Sequence, residues 1–171
     1  MNANDRSKGN GNGAGKANGT QATWLVAHDF SPCGDAAAFE AARLLEPTGG
    51  TVKLLHVHEP VAIRPERAWG EETFALERSV RERLAVVAAA LRARNPRVNV
   101  DVAVLAAADP VRAILDEAER DGVGQIIVGT HGRTGLSHLV LGSVAERVVR
   151  EAKVPVLVVK AAAEEAGIAV A

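Results

Sequence analysis

The chain is poor in aromatic and sulfur-containing residues: it has no tyrosine, one methionine, one cysteine and an aromatic content of 3%. A single cysteine, Cys33, excludes an internal disulfide and a cysteine-rich metal cluster, and it suits a reducing compartment. The few rings leave little for single-stranded nucleic acid to stack on. No apolar run reaches the roughly 18 residues of a membrane span, and the N-terminal residues lack the apolar core of a secretion signal. We therefore expect a cytoplasmic protein.

An excess of charge of one sign is also missing. The 20 basic and 21 acidic residues leave a formal net charge of -1, so no strong field favours nucleic acid or a membrane surface as a partner. The apolar content of 47% is ordinary for a globular protein, and 171 residues predict one domain. Residues 1–21 are small and polar after Met1, which predicts a disordered tail. We expect the folded domain at 22–161 and a short C-terminal tail at 162–171.

Apolar strand patterns alternate with helical patterns along the domain. The strands are predicted at 23–29, 52–57, 98–104, 125–128 and 156–159. This alternation predicts an α/β fold with a five-stranded, parallel, doubly wound sheet. The third strand alternates apolar and polar residues, which places it near a sheet edge. If the strand order is 3-2-1-4-5, the order reverses between strands 1 and 4, so ligands would bind beside Asp29 and Gly129.

Helix boundaries are signalled by capping residues. Ser31 or Asp35 is predicted to cap the first helix, and Asp109 with Pro110 begins the third. Gly122 is predicted to end the third helix. Ser143 is predicted as the N-cap of the last helix, because apolar residues recur after it at helical spacing.

The richest stretch, 125–160, reads QIIVGTHGRTGLSHLVLGSVAERVVREAKVPVLVVK. A strand ends at Gly129, Gly132 follows, and Gly142 and Ser143 come just before the last helix. Glycines without Cβ atoms let backbone N–H groups approach phosphate oxygens, and a helix N-terminus adds partial positive charge. The stretch therefore predicts an anion-binding loop. Turn and capping roles alone are the plainer interpretation of the same four residues.

The spacing Gly129-x2-Gly132-x9-Gly142-Ser143 resembles the ATP-binding signature of the universal stress protein family. The flanking GTHGRTGL, SVAERVV and PVLVV are similar to that family too, and the resemblance extends over about residues 23–160. It implies an adenine nucleotide alpha hydrolase-like fold that binds ATP, with Mg²⁺ as the accompanying ion.

The same resemblance implies roles for individual residues. Positions 129, 132, 142 and 143 would hold the ribose and phosphates, and Asp29 would contact the nucleoside. Val57 and Val128 would line the adenine pocket, although apolar strand residues are equally typical of a core. Arg133 and His131 could neutralise phosphate charge, whereas solvated loop charges are the commoner case. Val144, next to Ser143, completes the predicted nucleotide-binding set.

The predicted function is that of a nucleotide-dependent regulatory or stress-tolerance module with an unidentified protein partner. No triad, carboxylate pair or dedicated base is evident in the sequence, so no catalytic residue is predicted. The family resemblance leaves slow ATP hydrolysis or autophosphorylation open, and it implies a homodimer through the apolar segment Val154–Val159. Such an edge strand would otherwise invite aggregation.

Other functions remain as alternatives. The chain could bind AMP or no nucleotide and act through protein contacts, or it could carry FMN or belong to an adenylating enzyme. His28, His56 and His58 lie on neighbouring predicted strands, and three imidazoles could bind zinc, but hydrogen-bonded histidines are more common there and no metal site is predicted.

Overall fold

The computed structural model describes residues 21–60, 71–131 and 141–161. Of the tails predicted at 1–21 and 162–171, residues 1–20 and 162–171 lie outside the described residues, as do Gly132 and Arg133. Strands and helices alternate from β1 to β5. The elements are β1 (Thr23–Ala27), α1 (Pro32–Leu45), β2 (Gly50–His58), α2 (Glu71–Arg94), β3 (Val98–Ala106), α3 (Pro110–Arg120), β4 (Gln125–Gly129), α4 (Ser143–Glu151) and β5 (Val156–Val159).

The strands form one parallel sheet in the order β3-β2-β1-β4-β5. The predicted order is therefore confirmed. Strands are added on one side of β1 up to β3, and then on its other side from β4 onward, so the strand order reverses between β1 and β4. The edge position predicted for β3 is confirmed too, because β3 is the first strand in this order, and buried and exposed residues alternate along its first half. Parallel sheets need cover on both faces, which the helices supply.

Two apolar layers lie on opposite faces of the sheet. One joins α1 and α2 to the sheet through fully buried residues such as Ala41, Leu84 and Leu54. The other joins α3 and α4 to the opposite face, with Ile114, Val148 and Ile126 among its buried members. Neighbouring residues on a strand point to opposite faces, so a continuous apolar run such as β4 serves both layers.

The first strand is shorter than predicted. β1 ends at Ala27 instead of Asp29, and the His28 backbone N–H still donates to the Leu55 carbonyl of β2 at 2.8 Å. Phe30 has a positive φ of 63°, which an extended strand cannot contain. Asp29 therefore lies in a turn between β1 and α1.

Helix signals were predicted with one error. Ser31 caps α1, Asp109 caps α3 ahead of Pro110, and Gly122 follows α3 with a φ of 60°. The prediction for Ser143 is wrong, since α4 begins at Ser143 itself and Gly142 occupies the N-cap in an extended conformation. Among the described residues, no helix combines the length and apolarity required to cross a membrane.

Candidate functional site

A cleft of about 470 Å³ opens at the carboxyl ends of β1, β2 and β4. This volume is within the range of small-molecule sites. The cleft lies on the α3/α4 side of the sheet. It is next to the point where the strand order reverses between β1 and β4, so that the chain segments following these two strands are separated from each other. Its wall includes apolar residues from β2, β4, the connection after β3 and the start of α3, namely Leu55, Val57, Ala107, Pro110, Ile114 and Val128.

Side-chain hydrogen bonds hold the acidic turn, which we define as His28–Ser31. The Asp29 carboxylate oxygen Oδ1 accepts from the Ser31 backbone N–H at 3.0 Å and from the Ser31 hydroxyl at 2.6 Å. The Ser31 oxygen in turn accepts from the Gly34 N–H at 3.1 Å, which caps α1. Asp29 is thus oriented at the rim of the cleft by the beginning of the following helix.

The glycine connection, residues 129–142, is described at its two ends. Two backbone bonds hold these ends: Thr130 N–H donates to the Val159 carbonyl at 2.8 Å, and Gly142 N–H donates to the Thr130 carbonyl at 2.9 Å. The Gly142 carbonyl accepts from Glu146 N–H at 2.9 Å and so begins α4. These bonds bring the end of β4 and the start of α4 together at the cleft.

Gly129 is required by its contact with α1. A Cβ atom at this position would lie 2.7 Å from the Cys33 Cβ and within 2.9 Å of the Cys33 backbone oxygen. Only glycine lets the end of β4 lie this close to the first turn of α1. The first turn of α1 is therefore packed against the glycine connection, and the Ser31 hydroxyl of the acidic turn lies 3.3 Å from the His131 carbonyl oxygen.

Ser143 occupies the first position of α4. Within the part of the chain that the structure describes, no side chain caps this helix, and both Ser143 and Val144 line the cleft. The first N–H groups of a helix have no intrahelical acceptors, and they carry partial positive charge. The beginning of α4 can therefore interact favourably with an anion in the cleft.

The structure brings most of the predicted site residues together. The seven described members of the predicted set all line this one cleft: Asp29, Val57, Val128, Gly129, Gly142, Ser143 and Val144. His131 lines it as well, with Nδ1 3.0 Å from the Thr130 hydroxyl. Gly132 and Arg133 lie outside the described residues.

Cys33 lies beneath the glycine connection, half-buried, with Sγ 3.6 Å from the Thr130 hydroxyl oxygen. Burial raises the pKa of the Cys33 thiol, but hydrogen bonds from the Ala161 backbone, the Thr130 side chain and the His131 backbone bring that pKa below its usual value. The sequence shows the helix start next to Cys33, but not these partners, which follow β4 and β5 along the chain.

One ion pair beside the cleft was missed by sequence reasoning. Arg147 of α4 donates to both carboxylate oxygens of Asp109, at 3.2 and 3.1 Å. The Arg147 guanidinium, together with the Arg112 backbone N–H, holds the pKa of the Asp109 carboxyl below its usual value. The pair ties the beginning of α3 to α4, and no local spacing signals it because 38 residues separate the partners.

The histidines considered as zinc ligands are engaged with other groups. His28 Nε2 lies 3.0 Å from Asp35 Oδ1, His56 Nδ1 lies 2.7 Å from the His28 carbonyl, and His58 Nδ1 lies 2.9 Å from the Glu59 carbonyl. In residues 21–60, 71–131 and 141–161, no three histidine, cysteine, aspartate or glutamate side chains are grouped so that they could hold a metal ion.

The architecture and the position of the cleft define an adenine nucleotide alpha hydrolase-like protein. Residues 23–160 match the model of the universal stress protein family, and the chain belongs to that family. The recognition made from the glycine spacing is therefore confirmed.

Individual relatives agree with this assignment. A universal stress protein of Thermus aquaticus is 32% identical over 138 residues, which cover 81% of this chain and 98% of that protein. One from Methanocaldococcus jannaschii is 51% identical over 51 residues, 30% of each chain. One from Mycolicibacterium smegmatis is 33% identical over 138 residues, 80% of this chain and 45% of that one. The chain thus spans less than half the length of two of these curated relatives.

Solved structures share the fold. The hypothetical protein PH0823 superposes with a TM-score of 0.64 at 27% identity, covering 84% of this chain and 98% of that one. A universal stress protein in complex with cAMP has a TM-score of 0.57 at 21% identity, covering 84% of this chain and 99% of that one. At 21% identity the second likeness shows the fold alone.

Proposed function

We propose that this protein binds ATP in the cleft and acts as a nucleotide-dependent regulatory module. The observation that carries the proposal is the convergence of an acidic turn, a glycine connection and an apolar wall on one cleft at the sheet reversal. A nucleotide has one chemical part to match each of these features: a ribose with hydroxyl donors for the acidic turn, phosphates for the glycine connection, and an apolar base for the wall. A universal stress protein of the same fold is solved with cAMP, so the fold can hold an adenine nucleotide.

Each part of ATP has a matching set of residues. Val57 and Val128 would contact the adenine ring, and Asp29 would accept hydrogen bonds from the ribose hydroxyls. Gly129, Gly142, Ser143 and Val144, together with Gly132 and Arg133 of the same connection, would hold the phosphates. The beginning of α4 adds N–H donors and partial positive charge for these anions.

Mg²⁺ would accompany ATP as the counterion of its phosphates. We assign it no ligand from the described residues. The proposed action depends on occupancy: bound ATP-Mg would contact both connections at once, and an unidentified protein partner would recognise the resulting surface. We place this activity in the cytoplasm, where ATP is abundant and a lone thiol stays reduced.

Calorimetric titration of ATP-Mg into the purified protein, freed of co-purified nucleotide, tests the proposal. Asp29→Asn keeps an oxygen for the Ser31 bonds but removes the charge, so we expect binding about tenfold weaker, as for loss of a charge-assisted hydrogen bond. Asp101→Asn, on the exposed side of the edge strand β3, is the matched control and should bind like wild type. Absence of binding to the wild type would refute the proposal.

We also propose a homodimer through Val154–Val159. β5 ends the sheet and pairs only with β4 among the described strands, and Val156–Val159 are all partly exposed. Pairing with a second copy would satisfy the outer edge of this strand. Light scattering should give twice the monomer mass for wild type and the monomer mass for Val158→Lys; a wild-type monomer at micromolar concentration would contradict the dimer.

A further inference from the structure

Gly34 lies in the first turn of α1, directly behind the acidic turn. It is buried, and it is the one glycine within the four helices that the structure describes. Its backbone N–H donates to the Ser31 hydroxyl oxygen at 3.1 Å. Any residue except proline could donate that bond, and glycine makes a helix less stable than alanine does. Helix capping therefore does not explain why a glycine occupies this position.

The space beside Gly34 explains it. The backbone here is helical with a negative φ, so the conformation suits any L-residue. A Cβ atom at this position, however, would lie 2.8 Å from Asp29 Oδ1. Atoms that are not bonded to each other overlap at that distance. A side chain at position 34 would therefore displace the Asp29 carboxylate.

The two oxygens of that carboxylate have different roles. Oδ1 accepts from the Ser31 N–H at 3.0 Å and from the Ser31 hydroxyl at 2.6 Å, and these two bonds use both of its lone pairs. In residues 21–60, 71–131 and 141–161, Oδ2 has no hydrogen-bond partner. Asp29 lines the cleft, so Oδ2 is the oxygen that can accept a hydrogen bond from a ligand there.

An added Cβ at position 34 would move this carboxylate and leave the helix in place. The carboxylate is the end of a flexible side chain, whereas the Cβ of a residue at 129 would meet the backbone of Cys33. The two carboxylate oxygens are joined rigidly, so Oδ2 moves whenever Oδ1 is pushed away from Ser31. Hydrogen bonds weaken steeply when their geometry is lost, so the contact made by Oδ2 would be lost as well.

From these contacts we infer that Gly34 is a positioning residue for recognition of the nucleotide sugar. It leaves the space in which Asp29 keeps one oxygen on Ser31 and presents the other to a sugar hydroxyl. The inference rests on the proposed function, because it concerns the contact between Asp29 and the ribose of ATP. Gly34 does not itself line the cleft, so its replacement should affect the sugar contact and leave the base and phosphate contacts unchanged.

Two nucleotides separate the sugar contact from the rest of the ligand. ATP and 2′,3′-dideoxyATP share the base and the phosphates, but the second lacks both sugar hydroxyls. Calorimetry with the magnesium complexes should show wild type binding 2′,3′-dideoxyATP about tenfold more weakly than ATP, as for loss of one hydrogen bond to a charged group. Gly34→Ala should bind both nucleotides with the affinity that wild type has for 2′,3′-dideoxyATP.

Gly124→Ala is the matched control for this experiment. A Cβ at position 124 would meet no atom closer than 3.8 Å, so the variant should keep the wild-type preference for ATP. A wild-type preference in Gly34→Ala as well would overturn the inference, and so would equal weakening of both nucleotides. Equal binding of the two nucleotides by wild type would overturn it too, while the proposed function stands. No ATP binding by wild type would overturn both.

Asp29→Ala shows whether Gly34 acts through the carboxylate. This variant should bind ATP and 2′,3′-dideoxyATP equally. When Gly34→Ala is added to it, the ATP affinity should not change further, because no carboxylate remains to be displaced. Two residues that act through one contact are non-additive in this way. A further loss of affinity in the double variant would contradict the positioning role.

Stability provides a readout that needs no ligand. Alanine suits a helix better than glycine, so Gly34→Ala should raise the urea midpoint in the Asp29→Ala background. The increase should be smaller in the wild-type background, where the new Cβ must displace the carboxylate. If Gly34→Ala does not fold while the double variant does, the glycine is a requirement of the fold and the positioning role is wrong. Equal increases in both backgrounds would show that Gly34 and Asp29 are not in conflict for space, which also overturns the inference.

Discussion

The two connections that meet at the cleft are constructed differently. The acidic turn is held by side chains, with Asp29, Ser31 and His28 each bonded to a neighbour in the turn. The described ends of the glycine connection are held by backbone bonds and by the close approach of Gly129 to α1. The first should therefore be sensitive to loss of polar side chains, and the second to any added side-chain volume.

Gly129→Ala should have the largest effect. The added Cβ would overlap Cys33 backbone atoms that cannot rotate away, so α1 must shift. We expect a loss of about 2–3 kcal/mol in the free energy of unfolding by urea titration, as for overpacked sites. Gly124→Ala is the control, since the nearest atom to its Cβ would be 3.8 Å away, and it should change stability by less than about 0.5 kcal/mol. Equal effects at both positions would contradict this account.

Ser31→Ala comes next. It removes the cap of α1 and leaves Asp29 without its shortest hydrogen bond, in a site where Ser31 is 3% exposed. We expect a loss of about 1–2 kcal/mol in the free energy of unfolding. Urea titration measures it, and wild-type stability in the variant would show that the side-chain bonds do not hold the acidic turn.

Ser143→Ala is the matched change in the other connection. Because α4 is not capped by the Ser143 side chain, stability should stay within about 0.5 kcal/mol of wild type. If the hydroxyl donates to a phosphate oxygen, ATP-Mg affinity should fall about tenfold, which corresponds to one hydrogen bond to a charged group. A stability loss as large as that of Ser31→Ala would mean that the two helix starts do not differ.

The smallest effect concerns the pair that joins α3 to α4. The pKa of Asp109 is lowered in the folded protein, chiefly by Arg147. The contribution of the pair to stability is therefore fully present above the ordinary aspartate pKa of about 4. It is lost as the pH falls through the lower pKa of the folded state. Arg147→Gln should thus be less stable than wild type at pH 7, and this difference should shrink at pH 3. Urea midpoints at both pH values measure it.

Arg150→Gln provides the control for that titration. Arg150 is exposed and pairs with Glu146 and Glu151 on its own helix, so it does not connect α4 to α3. Its smaller effect at pH 7 should distinguish a link between helices from a surface pair. An Arg147 effect that is the same at pH 3 and pH 7 would show that Asp109 is not its cause.

Local signals in the sequence predicted much of the site. The β4 run that ends in Gly129 and the Asp109-Pro110 start of α3 depend on neighbours along the chain, and the structure has them where predicted. Ser143 was assigned wrongly because serine suits both an N-cap and a first helical position. The choice depends on the Gly142 bond to Thr130, which the spacing of apolar residues does not reveal.

The sequence by itself determined the order of strands and helices, the parallel sheet, the family and the residues grouped at the strand ends, because hydrophobic periodicity and glycine spacing are local properties of the chain. Tertiary structure alone decided how those residues are held. Three contacts depend on the relative positions of packed elements: the approach of Cys33 to Gly129, the Arg147–Asp109 ion pair, and the contact between His28 Nε2 and Asp35. Such contacts arise only when the sheet and helices bury their apolar faces against one another, a requirement of the whole chain.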